Sequence, residues 1–583
     1  MKTEIYQKIF RKENILLVVY VLIITVLLYP FIFLLNHHFG LYRAITKYDL
    51  TLLIKSIIFQ YALTFKSLLQ SFIGSVLIVC SLVFFSLRRK KVNIHGDARF
   101  ANDKEVKKFT EAKNGIIIGI YKNKLLRFSG QQFVALGAPT RSGKGVGIVI
   151  PNLLEQEDSM VVMDIPKLEA FTITSKYRKE VLGQDIFLFS PFKKGTSKYN
   201  PLDYVDFTSG VADIQLNAIA NIIYVNTGGD DYFVMQAREL FVGLALLFHD
   251  LIEKGLLKAP YSISTLLECS TIINNEPFEE YYDNVKLQVV LPKGAILRIE
   301  RYLNTSDNTR SSIKSSFEVP LALFGSDIIA ENTSASDFNL NNLRKKKMTI
   351  YIGLTLEELL QAKSLINLFF SQLLTENTRQ LPEQDPSLKH ACVLLLDEFT
   401  SIGQIEILKK GCAFIAGYNL RMITIFQGIS QLEESPPAGY GKEGAKSLLV
   451  NHACQIIYAP KEESDAEEYS KRLGYQDVID NNVSRSSKDI NKNFSEVKQR
   501  RALMLPQEIK ELPFEEEIIF IENCKPIKCN KAFYFAVPQL LWKLKQVSPT
   551  LMQIEKPNKS DFDRAFQRGE TKIKLKELVK NAF

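Results

Sequence analysis

The chain has 583 residues, 46% of them hydrophobic and 23% charged, with a formal net charge of +9. That composition excludes a disordered chain, and the length exceeds what one compact core holds, so two or more domains are expected. The mild positive charge suits nucleic acid or an anionic membrane surface without selecting either. Seven scattered cysteines exclude a disulfide framework and fit a reducing cytosol.

In chain order, the first elements are two apolar runs, residues 14–36 and 67–87, neither containing a charged residue. Each is long enough to cross a bilayer as a helix, which takes about 20 apolar residues. The first is too long for a cleaved signal peptide and is followed by the second. Lys2, Lys8, Arg11 and Lys12 precede the pair and Arg88, Arg89, Lys90 and Lys91 follow it, so both flanks read as cytoplasmic. The loop between them carries Arg43, Lys47, Lys55 and Lys66, so the asymmetry is modest. Ser71 and Ser75 have the spacing of a helix-packing face, a weak signal by itself.

Beyond residue 91, short apolar runs end in polar or small residues, at 133–136, 160–163, 186–189, 348–354, 393–396, 422–426 and 455–458. Helical patterns lie between some of them, as at 355–379. Buried strands alternating with helices imply a mostly parallel α/β sheet that binds ligands at its carboxyl edge. Residues 205–330 break the rhythm, being strand-poor and helical in period, and are expected to form an inserted all-α domain. The basic, polar stretch 545–583 reads as a tail, loose or bound to a partner. Cys524 and Cys529 are the one close cysteine pair, with no second pair to complete a zinc site.

The run "GAPTRSGKGVGIVIPNLL", 137–154, approaches the phosphate-loop pattern G-x-x-x-x-G-K-[ST]. Gly143 and Lys144 are in place. Ala138 stands at the first glycine, and Gly145 stands where a hydroxyl would hold magnesium. The context fits: a strand precedes, and a helix follows over 146–153, with Pro151 as a possible kink. Backbone N–H groups of Pro139 to Val146 can converge on phosphates wherever a nitrogen bears hydrogen. Gly143 would let the backbone come close, Lys144 would meet the β- and γ-oxygens, and Thr140, Arg141 and Ser142 would add donors. A glycine-rich turn alone is weak evidence. The second half is "VLLLDEF", where Asp397 and Glu398 end an apolar strand. Asp397 can hold Mg²⁺, directly or through water, and Glu398 can polarise the attacking water. Gln427, ending "MITIFQ", can contact the γ-phosphate or cap a strand. Arg421, opening that strand, is a trans-acting arginine or a solvated strand end. Asp164 is a site neighbour or a turn residue, and Lys345, Lys346 and Lys347 read as a solvated turn, with a DNA contact the lesser alternative. Magnesium keeps several waters, so Gly145 need not abolish metal binding.

These residues resemble the type IV secretion coupling proteins, the TraG-type ATPases of conjugation and effector export. The resemblance rests on "HGDARFA" (95–101), "APTRSGKGVG" (138–147), "VVMDIPKLE" (161–169), "YNPL" (199–202), "LLLDEF" (394–399), "QGISQL" (427–432) and "RRALMLPQEI" (500–509). Glycine after the lysine is usual in that family. Its frequent D-P-K-G-E is disturbed here by Ile165 and Leu168. The resemblance implies a RecA-like P-loop NTPase domain with an inserted all-α domain, preceded by two transmembrane helices. The divisions are 1–91 anchor, 92–204 and 331–544 nucleotide-binding domain, 205–330 insertion and 545–583 tail. It further implies ATP and Mg²⁺ as cofactors, a homo-hexamer in the bacterial inner membrane with a cytoplasmic ATPase domain, and delivery of relaxase-bound single-stranded DNA or protein effectors to the secretion channel proteins. By motif match Lys144 takes the phosphate role, Asp397 and Glu398 the metal and water roles, and Gln427 the sensing role. Two other readings compete: a receptor that uses nucleotide only to assemble, and an FtsK-type DNA pump, for which the tail is short.

Overall fold

The structure is a computed structural model. It describes residues 96–575 apart from 131–132, 226–230 and 485–492, with a few isolated positions between 23 and 94. Contacts divide the chain into Met1–Ile94 and His95–Phe583, and the described residues lie almost wholly in the second unit. The apolar run 14–36 lies outside them except for Ile23, and most of the run 67–87 lies outside them too. Among the described residues no helix is long and apolar enough to cross a membrane.

An eleven-stranded sheet organises the second unit. Its strands are β1 (Ile116–Tyr121), β2 (Lys124–Phe128), β3 (Val134–Gly137), β4 (Ser159–Asp164), β5 (Asp185–Phe189), β8 (Met348–Gly353), β9 (Cys392–Leu396), β10 (Leu420–Phe426), β11 (Cys454–Ile457), β14 (Glu516–Ile521) and β15 (Ile527–Asn530). The numbers missing from that series are the hairpin β6–β7 (Ile272–Ile273, Glu276–Pro277) and the ribbon β12–β13 (Tyr475–Ser484, Asn493–Ala502), which pair only with each other. The order across the sheet is β2-β1-β15-β14-β11-β3-β10-β9-β4-β8-β5. From β11 to β5 all neighbours are parallel. From β11 to β2 all are antiparallel.

The parallel strands read as unbroken apolar runs because both their faces are covered. Alternate side chains of β9 show this: Leu394 and Leu396 join one core, Val393 and Leu395 the other. The first core runs into the inserted helices, and the second lies beneath the helix that follows β3.

Between β5 and β8 the chain leaves the sheet for helices spanning Ala212–Ile223 to Asp327–Asn332, interrupted among the described residues only by the β6–β7 hairpin. The "YNPL" motif ties the outgoing and returning strands of that excursion together. The Asn200 N–H donates to Ser336 Oγ (3.0 Å), its Nδ2 donates to the Tyr261 carbonyl (2.7 Å), and its Oδ1 caps the turn at Leu202 (3.0 Å). Tyr199 is buried against Phe338 and Phe369.

Three local expectations change. The helix anticipated over 355–379 is two helices, Leu356–Gln361 and Lys363–Asn377, broken at Ala362. The segment after Lys144 opens as a wide π-turn, Gly145–Val149, before the helix Ile150–Glu155, which makes room for the ring of Pro151. As far as residue 575 the tail is not loose but packs on its own chain. Its helices Pro549–Met552 and Lys559–Gln567 bury Leu551, Phe562 and Ala565. The turn beyond them docks on the helix Glu169–Glu180. There the Lys176 N–H donates to the Thr571 carbonyl (3.1 Å), and Thr571 Oγ1 donates to the Thr172 carbonyl (2.7 Å). Among the described residues Cys269, Cys392, Cys454, Cys524 and Cys529 are free thiols.

Candidate functional site

Strand register sets the level of the site. Gly137 of β3 pairs with Phe426 of β10, Leu396 of β9 with Thr424 of β10, and Met163 of β4 with Leu396. Ala138, Gln427 and Asp397, which follow these residues, and Asp164, the last residue of β4, therefore stand together at the carboxyl edge, where an open parallel sheet binds ligands. The Ala138 N–H donates to the Phe426 carbonyl (2.9 Å), anchoring the root of the loop.

In the loop, the Ser142 N–H donates to the Pro139 carbonyl (3.3 Å). Arg141 is exposed and left-handed (φ +63°), and Gly143 has φ +87°. A Cβ on Gly143 would stand 3.1 Å from Phe514 and 3.3 Å from Phe533. Protein, and not only a ligand, therefore demands glycine here. The Ser142 hydroxyl is buried without a hydrogen-bond partner. Gly145 has open space where its side chain would begin, with no heavy atom within 4 Å. Val146 is half-buried, and its carbonyl accepts from the Tyr534 N–H (3.2 Å).

Lys144 closes the cradle. Its amine lies 2.8 Å from Asp397 Oδ1 and also pairs with Glu398 Oε1. Burial alone would lower the Lys144 amine, but the two carboxylates outweigh it and hold it above its ordinary value. Burial lifts Asp397, 7% exposed, above the ordinary carboxylate range, although Lys144 pulls the other way. Glu398 is left-handed (φ +54°), which turns it back over the strand end. Gln427 Nε2 donates to Glu398 Oε2 at 3.0 Å. Lys144, Asp397, Glu398 and Gln427 thus form one hydrogen-bonded chain drawn from three strands. Burial, reinforced by Asp397, also raises Glu169.

Other candidates lie elsewhere or do other work. Asp164 accepts from the N–H groups of Ala170 (3.0 Å) and Phe171 (2.7 Å), capping the helix Glu169–Glu180. Burial lifts its pKa to about 6 despite those two donors. Leu168 is left-handed (φ +56°), which explains why the related motif favours glycine there. Arg421 is the second residue of β10, six residues from Gln427 and so about 20 Å away along the strand. Lys346 pairs with Asp185 (2.6 Å) at the opposite, amino edge of the sheet. Cys529 Sγ lies against Glu517, not Cys524.

Two lysines at the loop escaped the sequence reading. Lys461 Nζ donates to Thr140 Oγ1 (3.2 Å), and Lys531 Nζ donates to the Ser142 carbonyl (2.9 Å). Both follow strands on the β11 side of β3, and only the strand order brings them there.

The donor set fits a nucleoside phosphate with a hard divalent ion. An unpartnered buried hydroxyl, the buried Asp397 and half-buried Glu398 carboxylates and a lysine surround a loop with clear space at Gly145. Among the described residues no group of three or more His, Cys, Asp or Glu could hold a metal ion.

The fold is a RecA-like α/β fold, with a phosphate-loop motif and two acidic side chains meeting at its carboxyl edge. The family described as Type IV secretory system Conjugative DNA transfer matches residues 90–559, and the chain belongs to it. It is 29% identical to Protein VirD4 of Rhizobium radiobacter over 488 residues, covering 79% of this chain and 67% of that protein. It is 26% identical to a Conjugal transfer protein TraG of Escherichia coli over 532 residues, covering 82% of this chain and 81% of that one. The fold is shared with the bacterial conjugative coupling protein TrwB in complex with sulphate. That match has a TM-score of 0.55 and 16% identity over 76% of this chain and 96% of that one. TrwB is also known in complex with ADP and Mg²⁺.

Proposed function

We propose that this coupling protein is a membrane-anchored ATPase that drives relaxase-bound single-stranded DNA, protein effectors or both into a type IV secretion channel. The observation that carries the ATPase reading is the Lys144 amine bridging Asp397 and Glu398 at adjoining strand ends. The nucleotide and ion found with TrwB support ATP and Mg²⁺ as ligands here. Kinship with VirD4 and TraG supports the transfer role.

In this reading the N–H groups of the loop, the Ser142 hydroxyl and Lys144 bind and orient the phosphates. Asp397 holds Mg²⁺, through water or directly, and the ion supplies charge neutralisation on the phosphate oxygens. Glu398 orients a water in line with the γ-phosphate, and Gln427 reports the state of Glu398 to β10. The runs 14–36 and 67–87 anchor the chain in the bacterial inner membrane with the sheet domain cytoplasmic. A homo-hexameric ring, with the inserted helices choosing cargo, follows from the family resemblance.

The test is ATP hydrolysis by the full chain in detergent, with and without single-stranded DNA. Lys144→Ala and Glu398→Gln should each reduce turnover at least 100-fold, on the order seen for single groups that act in phosphoryl transfer. Turnover unchanged in both variants would defeat the ATPase reading. A wild type that binds ATP but scarcely turns it over would favour the assembly receptor.

A further inference from the structure

We infer that Lys531 is a positioning residue for the phosphate loop, holding the Ser142–Gly143 peptide so that its N–H faces the bound phosphate. The inference rests on the ATPase reading above and extends it to the antiparallel side of the sheet.

Lys531 follows β15 directly and is held at its own backbone, where its N–H donates to the Glu515 carbonyl (2.8 Å). Its side chain runs inward and is only 4% exposed. The amine sits 3.8 Å from the centre of the Tyr458 ring and 4.8 Å from that of Phe514, and donates to the Ser142 carbonyl at 2.9 Å. Ring faces attract a cation, so the ammonium is fixed from behind while it grips the loop in front.

The consequence follows from peptide geometry. In a trans peptide the C=O and the next N–H point in opposite directions. An amine that captures the Ser142 carbonyl therefore turns the Gly143 N–H away from itself. Phe514 and Phe533 stand 3.1 and 3.3 Å from where a Cβ on Gly143 would be, closing that side of the residue. The N–H, turned from Lys531, is then left to an anion. Without this grip the peptide can flip and offer a carbonyl to the phosphate in place of a donor. A positive charge behind the loop also favours the anion directly.

The groups facing the amine are Tyr458 just after β11, Phe514, Glu517 of β14 and Glu515 just before that strand. Burial lowers the Lys531 amine to about 8, with Glu517 and Glu515 pulling it back up. It is therefore charged at neutral pH and loses its proton within an accessible range.

The test measures ADP binding by calorimetry on the full chain in detergent, which needs no turnover. Lys531→Met should weaken ADP about tenfold, the scale of one charge-assisted hydrogen bond. Lys531→Arg should restore most of it. In the ATPase assay the same loss should raise KM and leave kcat near wild type. ADP affinity equal to wild type in Lys531→Met, alongside loss in Lys144→Ala, overturns the positioning role and leaves the site reading intact. Wild-type affinity in Lys144→Ala as well overturns the site reading itself. If Lys531→Met does not fold, wild type and Lys531→Arg are compared between about pH 7 and 9, spanning the shifted lysine. A wild-type affinity that falls while that of Lys531→Arg stays flat supports the role, and parallel profiles overturn it.

Discussion

Gly143 is constrained twice, by a φ of +87° and by two phenyl rings within 3.3 Å of where a Cβ would sit. Gly143→Ala should cost about 1–3 kcal/mol in the unfolding free energy, since left-handed strain and a clash add. Gly145 has neither constraint. Gly145→Thr should leave the unfolding midpoint almost unchanged, with a few tenths of a kcal/mol gained from helix propensity. It should also lower the Mg²⁺ concentration needed for half-maximal ATP hydrolysis, because it supplies a hydroxyl ligand. Asp164 gives a pH signature. Its folded pKa is raised from 3.8 to about 6, so the stability it adds is full below the lower value and is lost as pH rises through the upper one. Asp164→Ala, which strips the acceptor from two helix N–H groups, should cost about 1–2 kcal/mol at acid pH. Urea unfolding should show that difference narrowing as the pH approaches neutrality.

At the scale of elements, the site depends on short turns that hold difficult conformations between buried strands. Arg141, Leu168 and Glu398 are all left-handed non-glycine residues, and each follows one of the strands β3, β4 and β9. Strain of this kind persists only where packing over-determines it. For Leu168 that packing is visible: a Cβ placed on Gly353 at the end of β8 would lie 2.1 Å from Leu168 Cδ2. Leu168 fills the space above a glycine, so the two form a complementary pair. Gly353→Ala should cost about 1–2 kcal/mol by overpacking in the wild type and much less in a Leu168→Gly background. Equal costs in both backgrounds, measured by chemical unfolding, would show that the pair is not coupled.

Across the whole molecule, the C-terminal segment belongs to the nucleotide-binding body. Leu551, Phe562, Ala565 and Ile573 are buried, and Lys176 Nζ donates to the Val547 and Glu570 carbonyls (3.0 and 3.1 Å). The segment braces the helix Glu169–Glu180, whose start is capped by Asp164 beside the site. Truncation after Lys545 should remove several kcal/mol of apolar burial, a large part of a typical domain stability. The expected outcome is loss of soluble, cooperatively unfolding protein. Phe562→Ala alone should cost about 3–5 kcal/mol.

Much of this was legible in the residues. β4, β9 and β10 announced themselves as apolar runs, since a strand covered on both faces needs no alternation, and the glycine–lysine pair and the two acids stood at the ends of such runs. The antiparallel half was not legible. β1 and β2 lie close together in a short hairpin, and the β12–β13 ribbon is largely polar, with no apolar run to mark it. The packing of the tail on its own chain was not legible, because its apolar residues are scattered among charges, a pattern that only a waiting groove makes sense of. By itself, then, the sequence determined the chemistry available and the strands that carry it, because composition and periodicity are local properties of a chain. The tertiary structure alone decided which distant groups share a cavity. The meeting of Lys144 with Asp397 and Glu398, and of Lys531 with the carbonyl of Ser142, depends on strand order, which is a property of the whole folded sheet.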